Sequence, residues 1–263
     1  MAGDSKLFAE ERHQIILEKL EVESKVLVQE LADIFSVSSA TIRTDLRELE
    51  DEARLIRTHG GAIPMVKVGF EQNTKQKQVS SIKEKQCIGA VALDFIHDGD
   101  AIAIDTGTTA YEFAKLLVSK KDLTVVTNDL PIATLLEDLT DFNIILLGGR
   151  VRKGFQCTIG SMVLESIRDI NVDTVFLCGN AFNLERGFMT TTVEHAEIKK
   201  FMKDTASKSI MLMDSQKMGR ISLYTFTQLS DIDVLITDRG ISKTMEKEIR
   251  DAEENLEIIV VPV

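Results

Sequence analysis

The sequence predicts two parts, a small winged helix-turn-helix unit and a larger, mainly parallel α/β domain. Three observations carry this. From residue 82 onward, apolar bursts alternate with amphipathic stretches, the pattern of a parallel sheet covered by helices on both faces. Residues 1–63 hold short helical patterns and one hairpin signal instead. Between them, PMVKVGFEQNTKQKQVSS is polar and lacks sustained periodicity. The expected organisation is a head over 1–63, a connector over 64–81 that turns helical near Ile82, and an effector-sized domain over 82–263.

Within the head, AEERHQIILEKLE places His13, Ile16, Leu17 and Leu20 on one helical stripe. A β-like piece covers Lys25 to Val28, and QELADIF offers Leu31, Ala32 and Phe35 as the inward face of a second helix. Val37 stands alone in a serine-rich turn, and Ser39 is placed to cap the helix that follows. There Ile42, Leu46 and Leu49 recur at helical spacing, leaving Thr41, Arg43, Thr44 and Arg47 on the outward face. Two short helices about a tight turn, the second bearing arginines and hydroxyls, form a helix-turn-helix pattern. Arginine suits phosphate forks and guanine edges, and threonine can bond a phosphate or touch a thymine methyl. Ser38 and Ser39 would offer donors to a phosphate at the helix start. The run ARLIRTHGGAI then alternates Leu55, Arg57 and His59 against Ile56 and Thr58, a β-wing that presents Arg57 and His59 to the DNA backbone. Apolar spacing alone equally describes a helical hairpin with a solvated face. The combination of serine turn, Thr/Arg-rich helix and basic hairpin separates the two readings.

In the larger domain the apolar bursts are AIAID (101–105), LTVVTN (123–128), NIILLGG (143–149), TVFLCGN (174–180), SIMLMD (209–214), DVLITD (233–238) and LEIIVV (256–261). AYEFAKLL, PIATLLEDL, EIKKFMKDTA and KTMEKEIRDAEE read as intervening helices. Ligands of open α/β sheets bind beyond the carboxyl ends of the strands. There Asp105-Thr106-Gly107-Thr108-Thr109 forms a strand-to-helix turn whose hydroxyls and free N–H groups favour a phosphate. Capping needs the same residue types in any α/β protein. The Gly148-Gly149 pair has neither dinucleotide-fingerprint nor P-loop spacing. Lys217 could neutralise a phosphate, as could Arg150, Arg152 or Lys153.

Composition narrows the function. With 44% hydrophobic and 28% charged residues, the chain can bury a substantial core and is no disordered tail. No apolar run approaches the ~20 residues that cross a bilayer, and MAGDSKLFAEERHQ lacks the pattern of a secretory leader. No membrane partner and a cytoplasmic location are therefore expected. Cys87, Cys157 and Cys178 are odd in number and widely spaced, against both a disulfide framework and zinc. Cys178 closes an apolar run and reads as a buried inert thiol. His195 sits in EHAE without a second histidine four residues on, so no metal and no cofactor is expected. The net charge is −11, and residues 1–64 carry eight Lys/Arg against thirteen Asp/Glu. DNA binding must then rest on local charge, and be modest without dimerisation.

The runs ERHQIILEKL, VQELADIFSVSSATIRTDLRELE and LIRTHGGA resemble the DNA-binding head of the DeoR family of bacterial regulators. DTGTT, VVTND, LLGG, GFMTT, EHAEIKK, DSQK and LITD follow in the order and spacing of that family's sensor domain. The resemblance implies a transcription regulator, by family habit a repressor of carbohydrate genes. It implies a sensor fold similar to ribose-5-phosphate isomerase, an operator in double-stranded DNA, a phosphorylated sugar or polyol as effector, and a homodimer or homotetramer. It places Asp105, Thr106, Gly107, Thr108 and Thr109 around the phosphate. Thr127, Asn128, Gly149, Gly179, Asn180, Glu197 and Lys217 would surround the rest. Thr44 stands where the family has a second arginine, Gln216 where it has a serine, and GNAFN replaces a smaller polar turn. The departures point to a distinct operator and ligand.

Two other functions compete. A phosphosugar isomerase with an accessory head could draw on Asp105, Glu194, Glu197 and Lys217 for proton transfer, yet no base is visibly paired with an orienting partner, and no catalytic residue is assigned. A head that binds protein in place of DNA would suit its acidic count.

Overall fold

The computed structural model describes residues 7–263 apart from 24, 53, 59, 65–68 and 70, and the side chains of 21, 22 and 64 are likewise not described. Contacts divide the chain into two compact units, Met1–Lys67 and Val68–Val263.

In the first unit, α1 (Ala9–Glu23), β1 (Val26–Leu27), α2 (Val28–Phe35), α3 (Ser39–Asp51), β2 (Leu55–Thr58) and β3 (Gly61–Pro64) follow in order. The strands form a small antiparallel sheet in the order β1-β3-β2. Gly61 is required there: a Cβ would lie 2.0 Å from the Val26 carbonyl oxygen. The predicted inward residues Ile16, Leu20, Leu31, Ala32, Phe35, Ile42, Leu46 and Leu49 are all buried in one cluster, against which Leu17 and Val37 pack. Ser36, in the left-handed region at φ +52°, ends α2. The cap of α3 is Ser38 rather than Ser39: its hydroxyl accepts from Thr41 N at 3.1 Å, and Ser39 is the first helical residue. The strand is also shorter than predicted, because Val28 opens α2.

Sequence periodicity passes over the head's main polar contact. Arg12 and Asp45 lie on the buried faces of α1 and α3, where Nε and Nη2 of Arg12 donate to the two carboxylate oxygens at 2.8 Å each. The third nitrogen, Nη1, donates to Leu7 O at 2.8 Å. The hydrogen bond from Arg12 to Asp45 pushes the guanidinium pKa further up, against burial.

The second unit opens with α4 (Thr74–Val79) and α5 (Ile82–Ala92), then β4 (Ala101–Ile104), α6 (Thr108–Ala114), β5 (Thr124–Thr127), α7 (Leu130–Leu139) and β6 (Asn143–Leu146). A hairpin of β7 (Arg150–Arg152) and β8 (Cys157–Ile159) precedes α8 (Ser161–Ile167) and β9 (Val172–Cys178). Next come β10 (Ala181–Asn183), β11 (Gly187–Thr190), α9 (Val193–Asp204), β12 (Ala206–Leu212), β13 (Tyr224–Thr227), β14 (Val234–Asp238), α10 (Lys243–Ala252) and β15 (Glu257–Val261). All seven predicted bursts are strands of one parallel sheet, ordered β15-β14-β12-β9-β4-β5-β6.

Alternation along the strands divides the core by face. Ile102, Ile104, Phe176, Ile210 and Ile236 pack with α5, α6 and α7, whereas Ala103, Val175, Leu177, Met211 and Leu235 pack with α8, α9 and α10. The strand order reverses at β4: later strands run outward to β6 on one side and, from β9, to β15 on the other. A crevice follows at the carboxyl ends of β4 and β9. NIIL differs from expectation, since β6 is an edge strand and leaves Asn143, Ile145 and Leu146 exposed. The stretch expected to be a connector also differs. Glu71 is buried in the second unit, and a capping box between Asn73 and Gln76 starts α4.

The Arg12–Asp45 pair yields a stability test. Arg12→Leu strands a buried carboxylate and should cost about 3–5 kcal/mol of head stability, whereas Arg12→Met combined with Asp45→Leu should regain most of the loss. Chemical denaturation of the three proteins, followed on the head's transition, checks this.

Candidate functional site

The loops that follow β4 and β9 leave the sheet on opposite sides of the reversal point and open a pocket between them. Thr106, Gly107, Thr108 and Thr109 form one wall, and Cys178, Gly179 and Asn180 another. The loops approach closely enough that a Cβ on Gly107 would sit 3.3 Å from the Cβ and Sγ of Cys178. Lys199 and His195 enter from α9, Lys217 from the turn after β12, Phe155 from the β7–β8 hairpin, and Glu71, Thr74 and Lys77 from the segment around α4.

Charge is concentrated here, and each carboxylate is engaged. Asp105 is buried beneath the wall, where it pairs with Lys199 and accepts from Cys178 N at 2.9 Å. Lys217 pairs with Asp214 at 3.0 Å. Burial disfavours its charge, but Asp214 outweighs burial and raises its pKa. Glu71 accepts from Lys77 at 2.6 Å, from Asn180 and Arg152 at 2.8 Å each, and from the Thr191 hydroxyl. Burial works against its ionisation; Lys77 and the hydrogen bonds overcome it and hold the carboxyl well below its ordinary range. Lys77 is lowered, first by burial and then by its neighbours Lys217 and Lys199. Burial, with Lys199 and Arg152 adding to it, drives His195 down to about 3. Its ring therefore stays neutral, near Arg152 and the Cys157 thiol. Burial raises the Cys157 and Cys178 thiols to about 11, which makes both inert.

Five buried side-chain atoms lack a partner among the described residues, and two of them are the Thr109 hydroxyl, whose residue lines the pocket, and Oδ1 of Asp105, next to that lining in the chain. Buried polar groups are nearly always satisfied, so an orphan hydroxyl beside a pocket stands out.

Of the residues predicted around an effector, the structure brings Thr106, Gly107, Thr108, Thr109, Gly179, Asn180 and Lys217 to the wall. The others are elsewhere. Asp105 is turned to Lys199. Thr127 and Asn128 are fully buried away from the pocket lining: the Thr127 hydroxyl donates to Ile104 O and Asn128 Nδ2 to Thr158 O, while Asn128 Oδ1 has no partner among the described residues. Gly149 is packed against β8, where a Cβ would meet Ile159 O at 2.8 Å. Glu197 lies on the exposed face of α9, since its helical phase is opposite to that of His195 and Lys199. Arg150 is likewise exposed and pairs with Glu194. Sequence reading missed Glu71, Thr74, Lys77, Phe155, His195 and Lys199. Only the inward spacing of His195 and Lys199 in one helix could have flagged any of them.

On the head, Arg43, Thr44 and Arg47 project from α3 into solvent, and Thr41 is half-buried. Thr44 Oγ1 donates back to Ala40 O at 3.2 Å, while Ser38 and Thr41 share a hydroxyl contact of 2.9 Å. No ion pair among the described residues holds Arg43 or Arg47. Arg57 departs from expectation: its backbone N and Nε both donate to Glu50, at 2.8 and 2.7 Å. His59 lies outside the described residues. A groove between α3 and the hairpin is lined by Arg43, Glu50, Arg57 and Thr58.

Comparisons with known proteins divide the chain in the same way. Residues 12–66 match the DeoR-like helix-turn-helix domain, and residues 80–239 match the DeoR C terminal sensor domain. The chain is 34% identical to the HTH-type transcriptional regulator GlpR of Haloferax volcanii, over 92% of this chain and 94% of that protein. It is 36% identical to the HTH-type transcriptional repressor GlcR of Bacillus subtilis, over 89% of this chain and 90% of that protein. Among solved structures, ribose 5-phosphate isomerase A of Methanocaldococcus jannaschii is similar at 15% identity and a TM-score of 0.38, covering 51% of this chain and 53% of that one. No helix among the described residues is long and apolar enough to cross a membrane.

The neutral His195 makes stability depend on pH. The unfolded chain binds a proton below pH 6.5 that the folded protein refuses until about pH 3, so stability is lost as pH falls through that window. Between pH 7 and 5 this one group should account for about 2 kcal/mol. Thermal unfolding of His195→Gln across that range should show a correspondingly shallower slope than the parent.

Proposed function

The chain belongs to the DeoR family of transcriptional regulators, and we propose that its operator affinity is set by a phosphorylated sugar or polyol held in the pocket of the second unit. The observation that carries this is the Thr109 hydroxyl. It is buried, lacks a partner and lines a pocket where Lys77, Lys199 and Lys217 converge. A phosphate there would accept from the Thr108 and Thr109 hydroxyls and be neutralised by lysine, whereas the Thr106 hydroxyl already donates to Asp129 at 2.7 Å. Asn180 offers a polar group for the rest of the ligand.

Binding without turnover is the reading the side chains support. The residues with the chemistry for proton transfer do not converge. Asp105 is committed to Lys199, Glu194 to Arg150, and Glu197 faces solvent. His195 stays neutral across the physiological range, and Glu71 is fully engaged. A general base needs both reach and a pKa near the working pH; these carboxylates are engaged or turned away, and His195 lacks the second.

On the DNA side, α3 enters the major groove with Arg43 and Arg47 toward bases and phosphates, helped by Thr41, Thr44 and the Ser38–Ser39 turn. Arg57 would reach the backbone once released from Glu50. Two heads in a homodimer or homotetramer would read paired half-sites and offset the weak affinity of an acidic head. The effector moves this equilibrium only by its difference in affinity between two arrangements. Relatives named as repressors support repression as the output.

Two measurements test these halves separately. In a thermal-shift titration against phosphorylated sugars and polyols and their unphosphorylated parents, a true ligand at ~100 times its dissociation constant should add about 2.7 kcal/mol. That shift should be confined to phosphorylated compounds and shrink in Lys217→Ala and Thr108→Ala; a panel with no response sinks the sensor reading. For the head, Arg43→Ala with Arg47→Ala should abolish operator retention in a mobility-shift assay without changing the melting temperature. Unchanged retention would move the DNA face elsewhere.

A further inference from the structure

The segment Glu71–Ser80 follows the head's last strand after a few residues and contributes Glu71, Thr74 and Lys77 to the pocket wall. Its attachment is polar. Glu71 is bound by Lys77, Arg152, Asn180 and Thr191; Thr74 N donates to Gly154 O at 3.1 Å; Lys85 Nζ reaches the carbonyls of Lys77 and Ser80. The one apolar side chain of α4, Val79, is exposed, and six residues are too few to be a stable helix alone. What keeps this strap docked is therefore charge and hydrogen bonding, and its docking must respond to charge placed nearby.

The balance is mixed. Glu71 draws Lys77 inward but is shared with Arg152, while Lys199 and Lys217 face Lys77 across the pocket with the same sign. Burial and these two lysines all disfavour the charged form of Lys77. An anion among the three lysines turns repulsion into attraction, and does so only while the strap is docked.

We propose that Lys77 is a ligand-binding residue, and that an anionic group held between Lys77 and Lys217 clamps Glu71–Ser80 onto the second unit. The inference rests on the reading of the pocket as a site for a phosphorylated ligand and adds how occupancy leaves it. Ligand affinity for the docked state exceeds that for the undocked state, so binding shifts the strap toward docking. With the strap docked, the tether to the head ends at Glu71; with it free, the tether extends toward α5, and the reach of the head changes with tether length.

Hydrogen exchange on the full chain, titrated with inorganic phosphate against sodium chloride at matched ionic strength, tests this. At ~10 times the dissociation constant, phosphate should slow exchange of the amides of 74–80 about tenfold, together with those of 106–110. In Lys77→Met, slowing at 106–110 should persist at higher phosphate while the strap stops responding. Slowing at 106–110 with an unchanged or faster-exchanging strap in the parent protein would overturn the clamp and leave the phosphate site standing. No phosphate response in either segment would overturn both.

Discussion

At the point where the strand order reverses, one buried ion pair determines the shape of everything around it. Asp105 ends β4, Lys199 comes from the middle of α9, and both bond to Cys178 at the end of β9, through its N–H and carbonyl respectively. Each partner is at most 3% exposed in its side chain. Charges so far from water are tolerable only when paired and hydrogen-bonded, so the two diverging loops and the helix above them must keep their separation. The pocket is the space that this geometry leaves. Gly107 lies close against Cys178, where a Cβ would approach its side chain to 3.3 Å.

Around that pin the pocket distributes charge unusually for a protein of net charge −11. Lysines on three separate elements meet, and the carboxylates among them are consumed: Glu71 by Lys77 and Arg152, Asp105 by Lys199, Asp214 by Lys217. The one histidine lining the pocket is too desolvated to charge. Preorganised cations with an unsatisfied hydroxyl suit recognition of an anion.

The head solves a different problem. Its inner face holds a charged pair, Arg12 and Asp45, beside the apolar cluster, and so ties α1 to α3. Its outer face leaves Arg43 and Arg47 unengaged, yet Glu50 claims Arg57. An acidic head that spends one of its basic residues internally gains little from counterion release alone.

Periodicity made most of the fold legible. Seven apolar bursts became seven parallel strands, because residues buried on both faces of a sheet must be apolar throughout, and the inward residues of α2 and α3 followed from helical spacing. The loop 105–109 was legible as a turn beyond a strand end. What periodicity could not register were groups whose partners are far away in the chain. Glu71 reads as one charge in a polar stretch, yet Asn180 and Thr191 reach it from more than a hundred residues on. Glu197 shares a motif with His195 and Lys199, but a helix turns it away from them. The sequence by itself determined the two units, the strands and the wall of hydroxyls, since those depend on local pattern and burial. Only the tertiary structure decided which charges meet, because strand order and helix phase, not chain order, set the distances over which charges act.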